Sequence, residues 1–234
     1  MGNYLEDPPI KLLDFMLSDI SDYGGQIDAI LIAGDLVVHG LSNSDPNHAN
    51  WPKMKDVVSA ITASVRRQFP GVPIIPSIGN NDVLNYYKTP NEDKKALFYG
   101  DLYDIWFANT AQAGVQNTFM QGGFYRVDLA EGISVLSINS ILLNTLNSVS
   151  ETTSETLQRQ WLEDQLSNTS DSSRFFLLMH IPPGQWWDTH WKKYWKDDIL
   201  DAYLALFATY QSRIIMLLSA HAHPGEVRAP VSAK

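Results

Sequence analysis

Residues 29–36 read AILIAGDL, an apolar run with the length of a buried β-strand that ends in Gly34-Asp35. Such a run is typical of a strand covered on both faces, and the pair after it lies just past the strand's carboxyl end. Taken alone, a Gly-Asp pair at this place is as readily a turn or a helix cap as a functional site. Its meaning depends on whether other strands end in the same way.

Three further apolar runs do end in polar side chains. They read PIIPSIGNND at 73–82, FFLLMH at 175–180 and IIMLLSAHAH at 214–223. Open parallel sheets place their ligand sites outside the carboxyl ends of the strands. We therefore expect the polar side chains at these ends to converge on one edge of the sheet; they are Asp35, Asn80, Asn81, Asp82, His180, His221 and His223.

Taken individually, the histidines differ in how strongly they indicate a metal site. His180 could equally be a core histidine with its hydrogen bonds satisfied. His221 and His223 are spaced i and i+2, and in an extended segment such residues share one face. Two imidazoles on one face over a polar cleft predict a pair of metal ligands.

The rest of the chain alternates between helix and strand patterns. Apolar periodicity predicts helices at 10–20, 51–69, 93–107, 155–167 and 186–210. A Glu131-Gly132 turn predicts an antiparallel hairpin between 124–130 and 133–139, and the polar stretch 139–154 is a loop long enough to be functional. The pattern predicts one layered α/β domain over residues 1–234.

Composition excludes several classes of protein. The 26 acidic and 17 basic residues give a formal charge of −9, which disfavours binding to a nucleic-acid duplex. Cysteine is absent, which excludes disulfides, a thiolate nucleophile and a cysteine zinc site. No stretch approaches the ~18 apolar residues that a transmembrane segment needs, and the first residues show no signal peptide. Any metal must be held by His, Asp, Glu or Asn.

Carboxylate, amide and imidazole ligands without thiolate suit divalent zinc, manganese or iron(II). Asp35 has two carboxylate oxygens and could bridge two such ions. The residue types at the strand ends therefore predict a divalent metal site.

Gly-Asp, then Gly-Asn, then a single His, then His-x-His is an order that resembles the calcineurin-like metallophosphoesterases over nearly the whole chain. Within that superfamily, residues 122–140, 158–166, 175–184 and 219–227 are most similar to the acid sphingomyelinase-like phosphodiesterases and the endopolyphosphatases. The resemblance implies a layered β-sandwich flanked by helices and two divalent ions, zinc first and manganese or iron as alternatives.

The resemblance also implies roles for the residues. Asp35 would bridge two metals, with Asn80, His180 and His221 completing one site and His223 serving the other. Asn81 and Asp82 would be catalytic, Asp82 by supporting the loop around Asn80 and Asn81. A metal-bound hydroxide would cleave a phosphoric ester bond in a phosphodiester of the sphingomyelin or nucleotide type, or in polyphosphate.

The chain departs from the family's pattern in three ways. The family's first strand with its Asp-x-His motif is missing before Ile10, and the chain stops soon after His223, so we expect the first and the C-terminal strands to be lacking. Asn81 stands where many relatives have a histidine, and Asn cannot deliver a proton. We expect one tightly bound metal, slow turnover and a preference for good leaving groups.

Substrate, partner and compartment are less determined. Trp187, Trp191 and Trp195 recur every fourth residue, with Trp186 and Tyr194 nearby, which indicates either core packing or an aromatic lip for a choline group or a nucleobase. His39 lies four residues after Asp35 and could approach the metal cleft, but we interpret it as a solvated loop histidine. The resemblance implies a small-molecule or lipid phosphoester or polyphosphate as the substrate, and secretion or the lysosomal or vacuolar lumen as the location.

Two other classes of function remain open at this point. A catalytically impaired fold of this type could act as a binding module, which the missing first motif favours. An acidic regulatory protein could bind a basic partner, although no clustered acidic motif indicates one. The oligomeric state is not indicated by the sequence.

Overall fold

The computed structural model describes residues 7–23, 25–42, 49–107, 112–148, 152–186, 192–223, 225 and 227. The helices are α1 (Ile10–Asp22), α2 (Trp51–Gln68), α3 (Glu92–Phe107), α4 (Val115–Gly122), α5 (Thr152–Ser167) and α6 (Asp197–Thr209). The strands are β1 (Ile30–Ile32), β2 (Ile74–Pro76), β3 (Tyr125–Ala130), β4 (Ile133–Ser137), β5 (Arg174–Leu178) and β6 (Ile214–Leu218). The predicted α/β class is confirmed.

The strands form two sheets, which confirms the layered architecture that the family resemblance implied. β1 and β2 pair in parallel, and a second sheet has the order β3-β4-β5-β6. β3 and β4 are antiparallel, as the hairpin prediction required, while β4, β5 and β6 are parallel to one another. The expectation of a single sheet edge was wrong, because the chemically interesting residues follow β1 and β2 in one sheet and β5 and β6 in the other.

Buried hydrogen bonds join the two sheets. The hydroxyl of Tyr125 in β3 donates to the carbonyl oxygen of Pro76 at the end of β2, and Ser137 Oγ donates to the same oxygen over 3.3 Å. Ser77 Oγ in turn donates to the carbonyl oxygen of Ile138 over 3.3 Å. These bonds fix the ends of the two sheets relative to each other, which places their loops side by side.

A hydrophobic core lies between the sheets and the helices. Its largest fully buried side chains are aromatic, among them Trp106, Phe119 and Trp195. A smaller cluster of Leu17, Val65 and Phe69 lies under α1. Burial of aromatic side chains contributes most of the apolar area that stabilises such a core.

Most predicted helices are confirmed to within a few residues, with two exceptions. α4 was not predicted; it lies between Gly114 and Gly123, which both have positive φ. The helix predicted over 186–210 is wrong at 192–196, because residues 192–194 pair with 184–186 and residues 194–196 pair with 143–145; residues 187–191 lie outside the described residues. The carboxylates of Asp197 and Asp198 then favour a helix start at this point.

Two other expectations have different outcomes. Within the described residues, every helix is too short or too polar to cross a bilayer. The absence of the family's first strand and C-terminal strands stays a prediction.

β6 forms an edge of its sheet, and its central residues Ile215, Met216 and Leu217 are exposed.

We predict that Tyr125→Phe lowers the free energy of unfolding by about 1 kcal/mol, the net value of one buried hydrogen bond. Burial raises the pKa of Tyr125, so its hydroxyl remains a donor at neutral pH. The cost stays small because Ser137 Oγ still donates to Pro76. Urea unfolding measures it, with Tyr23→Phe at an exposed position as the control. An unchanged urea midpoint for Tyr125→Phe would contradict the claim that the Tyr125 hydrogen bond stabilises the contact between the sheets.

Candidate metal centre

Strand register places the loops after β1 and β2 face to face. Ile32 pairs with Pro76, so Asp35 and Gly79 each lie three residues beyond a matched pair. A Cβ on Gly79 would lie 2.1 Å from the backbone nitrogen of Asp35, and a Cβ on Gly34 would lie 2.7 Å from the nitrogen of Gly79. Both positions therefore require glycine, which explains the Gly-Asp and Gly-Asn pairs in physical terms.

The Asp82 carboxylate holds these two loops together. Its oxygens accept hydrogen bonds from the backbone nitrogens of Asp35 at 2.8 Å, Val37 at 2.9 Å and Gly79 at 2.9 Å. Burial, and next the charge of Asp35, raises the pKa of Asp82 to about 6. The side chain is fully buried and does not line the cleft described below. The contacts are those expected of a residue that supports the loop.

Asn81 fixes the orientation of Asp35. Its backbone nitrogen donates to Asp35 Oδ1 at 2.8 Å, and its side-chain Nδ2 donates to Asp35 Oδ2 at 2.9 Å. Burial opposes ionisation of Asp35, but His180 and these amide donors outweigh it and lower the pKa of the carboxyl. Asp35 is therefore an oriented carboxylate, held in the left-handed region at φ 58°.

His180 follows β5 and reaches across to the first sheet. Its Nδ1 lies 2.7 Å from the carbonyl oxygen of Ala33. A carbonyl oxygen only accepts, so Nδ1 carries a proton and Nε2 is the atom that faces the site. Burial would lower the pKa of His180, but the Asp35 carboxylate outweighs burial and raises it.

Four donor atoms for a cation meet at His180 Nε2. Asn80 Oδ1 lies 2.9 Å away, Asp35 Oδ2 3.1 Å away and His221 Nδ1 3.2 Å away. Lone pairs at these separations repel one another unless a proton on Nε2 or a metal ion lies among them. The ligand atoms of Asp35, His180 and His221 all lie within 4.8 Å of one another, the one such group within the described ranges.

The separations fit a metal ion. With bonds of ~2.0–2.1 Å, neighbouring ligands lie about 2.8–3.0 Å apart around an octahedral ion and about 3.3–3.4 Å apart around a tetrahedral one. One carboxylate, one amide and two imidazoles are also the ligand types that divalent transition ions accept. The donor set therefore suits a divalent metal, and the sequence-predicted Asp35, Asn80, His180 and His221 supply it.

The two histidines after β6 face different neighbours. The backbone nitrogen of Ala220 donates to the carbonyl oxygen of His180 at 3.0 Å, which continues the β5–β6 ladder and puts His221 beside His180. His221 and His223 have φ of 73° and 64°, so the segment is not extended and the argument from a shared face was wrong. His223 is exposed and lies beside His39, with ring centroids 5.7 Å apart.

Tyr87 completes the surroundings of His221, and no sequence pattern singled it out. Its hydroxyl lies 3.3 Å from His221 Nε2. Burial raises the pKa of Tyr87, so its hydroxyl stays neutral. When Nδ1 of His221 faces the metal site, Nε2 carries the proton and donates a hydrogen bond to the Tyr87 hydroxyl oxygen. An outer hydrogen bond of this kind fixes the tautomer and the ring orientation of a ligating histidine.

A cleft of about 410 Å³ opens onto this group of side chains. Its lining includes sequence-predicted residues and several that the sequence did not single out. They are Asp35, His39, Asn80, Tyr86, Tyr87, Leu146, Trp186, Lys192, His221, Ala222 and His223. A metal at Nε2 of His180 would therefore be accessible to a bound substrate.

His39 lies on the cleft wall and is about half exposed, so its interpretation as a solvated histidine was incomplete. Asp7 accepts from the backbone nitrogen of His39 at 3.0 Å and lies 2.7 Å from its Nδ1. Two contacts with one carboxylate fix the ring. The remaining ring nitrogen, Nε2, is then the one left for the cleft.

The aromatic segment is only partly as predicted. Trp195 is buried in the core and donates to the carbonyl oxygen of Ile181 at 3.1 Å, so it is a packing residue. Trp186 lines the cleft, and Tyr194 lies against it at 5.3 Å between ring centroids. Trp187 and Trp191 lie outside the described residues.

Comparison with known proteins agrees with this geometry. The sequence profile of the family described as calcineurin-like phosphoesterase matches residues 9–225. A dimetal phosphatase from Danio rerio has a similar fold, with a TM-score of 0.60 and 13% identity over 91% of this chain and 71% of its own. At that identity the likeness concerns the fold.

Three curated relatives cover nearly the whole chain. Sphingomyelinase phosphodiesterase D of Dictyostelium discoideum is 28% identical over 97% of this chain and 50% of its own length. The cyclic GMP-AMP phosphodiesterase of Mus musculus is 25% identical over 95% and 49%, and human sphingomyelin phosphodiesterase 25% over 96% and 34%. The chain thus spans about half the length of the first two. From its profile match, its fold and its site, the chain belongs to the calcineurin-like phosphoesterase family.

Proposed function

We propose that this protein is a divalent-metal-dependent phosphodiesterase whose reaction takes place in the cleft above His180. The observation that carries the proposal is the meeting of three donor atoms within 3.2 Å of His180 Nε2, from Asp35, Asn80 and His221, which all line that cleft. The relatives named above are phosphodiesterases, which supports a diester as the substrate class. Sphingomyelin-like and nucleotide-like substrates contain a phosphodiester, whereas polyphosphate contains phosphoanhydride bonds that the same metal chemistry could cleave.

In this proposal Asp35, Asn80, His180 and His221 hold one ion, and zinc, manganese and iron all suit the ligands. When bound, the ion neutralises charge on the phosphoryl oxygens and activates water. Asn81 and Asp82 keep the Asp35 loop in place rather than touching the substrate, since both are fully buried. Tyr87 holds His221 with Nδ1 toward the ion.

A second ion, as the family resemblance implies, would rely on Asp35 and His223. Both line the cleft, but the compact ligand group does not include His223. The described residues therefore favour one tight site in this chain, and turnover would be slow.

Hydrolysis forms one P–O bond and breaks another, so the leaving oxygen must gain a proton. Asn81 cannot supply it. His39 is an ionisable group on the cleft wall, and an Asp7 carboxylate oxygen lies 2.7 Å from its Nδ1. We assign His39 as the proton donor to the leaving group and Asp7 as its positioning residue.

The proposal predicts metal-dependent hydrolysis of bis(p-nitrophenyl) phosphate. Chelator-treated protein should regain activity with zinc or manganese, and Asp35→Ala should lose more than about 100-fold, beyond the range of an outer-sphere change. Asp28→Ala, at an exposed carboxylate shortly before β1, is the matched control and should keep full activity. Release of p-nitrophenol measures the rate. Equal activity with and without metal would refute the proposal, and no activity would favour a binding module.

His39→Gln should affect leaving groups unequally. We expect a loss of about 100-fold for unactivated alkyl diesters, because the departing alkoxide needs a proton, and less than about fivefold for p-nitrophenyl esters. Asp7→Asn should show the same trend more weakly. Rates across a series of leaving-group pKa values measure the effect, with metal content checked in each variant. Equal losses on both ester classes, or loss of the metal, would rule out the proton-donor role.

A further inference from the structure

Lys192 on the cleft wall carries a charge without a counterpart in the parts of the chain that the structure describes. Its Nζ lies 5.4 Å from the centroid of the Trp186 ring, and both side chains line the cleft. None of the ion pairs among the described residues includes Lys192. The neighbouring Lys193, in contrast, pairs with Asp197.

The backbone that carries Lys192 is fixed to the body of the domain. The nitrogen of Trp186 donates to the carbonyl oxygen of Lys192 at 3.0 Å, and the nitrogen of Tyr194 donates to Gly184 at 2.9 Å. The backbone nitrogen of Thr145 in turn donates a hydrogen bond to the carbonyl oxygen of Tyr194 at 2.9 Å. Two antiparallel arms therefore hold the base of Lys192, and the Trp186 ring supports its side chain.

The charge matters because the rest of the protein repels anions. The chain carries a formal charge of −9, and Asp35 adds a carboxylate at the cleft floor. Among the lining residues that the structure describes, Lys192 is the one lysine or arginine. Lys192 is exposed, and its Nζ lies near the Trp186 ring at the cleft, where its positive charge attracts an anion.

We propose that Lys192 determines specificity by binding a second anionic group of the substrate, next to the scissile phosphate. This rests on the proposed function and deepens it: the substrates selected are phosphoesters whose leaving or retained group carries its own negative charge. Lys192 gives that group a favourable contact, while Trp186 holds the ammonium toward the cleft.

The same contact counts against a choline group. A quaternary ammonium binds over a free aromatic face, and at Trp186 the lysine already occupies that environment. Tyr194 and His221 lie against the same ring, with centroids 5.3 Å and 5.7 Å away. Two cations at one ring would also repel each other. The aromatic wall therefore does not serve as a choline cage in this chain.

The test compares three phosphate monoesters of similar size whose tails differ in charge: phosphoglycolate, ethyl phosphate and phosphocholine. Equilibrium dialysis against the metal-loaded 234-residue chain gives each dissociation constant without any need for turnover. We expect phosphoglycolate to bind about tenfold more tightly than phosphocholine, a gap of about 1.4 kcal/mol. The gap should shrink at high salt, because the contact is electrostatic and partly exposed.

Three variants separate the explanations. Lys192→Gln should abolish the preference, Lys192→Arg should retain it, and Lys193→Gln should behave as the wild type because its charge is paired elsewhere. Equal weakening of all three ligands by Lys192→Gln, or a wild-type preference for phosphocholine, would overturn the inference. So would the absence of phosphoglycolate binding. If the chain binds phosphoglycolate more tightly than phosphocholine but does not hydrolyse phosphodiesters, the result would count against the proposed function alone.

Discussion

The hydrogen bond between His180 Nδ1 and the carbonyl oxygen of Ala33 is the contact on which the candidate site depends. It joins the end of β5 in one sheet to the end of β1 in the other. Because Ala33 only accepts, the bond also decides that Nε2 faces Asp35 and Asn80. This one contact thus sets the position of the central imidazole and decides which of its nitrogens carries the proton. A cation bound at Nε2 then balances the lone pairs of the surrounding oxygen and nitrogen atoms.

The sequence singled out the residues that the structure brings together at the candidate site better than it singled out the residues around them. Polar residues at four strand ends gave Asp35, Asn80, His180 and His221, because strand ends are readable from apolar runs and glycines. Their assignment to one sheet failed, since the order of strands depends on long-range pairing that local patterns do not encode. Positive φ at His221 likewise escaped prediction, because no glycine marks it.

The cleft wall was the part least readable from the sequence. Tyr87 and Lys192 reach it from segments without regular periodicity. The helical spacing of the tryptophans suggested a continuous aromatic face, but tertiary pairing near Gly184 replaced that helix. Trp195 entered the core instead. Side chains supplied by irregular loops can be located only after the fold places those loops, which is why function here rests on geometry.

Metal content tests the central claim most directly. The purified chain, equilibrated with zinc or manganese and dialysed, should retain one tightly bound ion by elemental analysis. His180→Gln, which keeps side-chain volume and polarity near the wild type, should lose that ion while remaining folded by circular dichroism. A wild-type chain without bound metal, or an ion retained at full affinity by His180→Gln, would contradict the account.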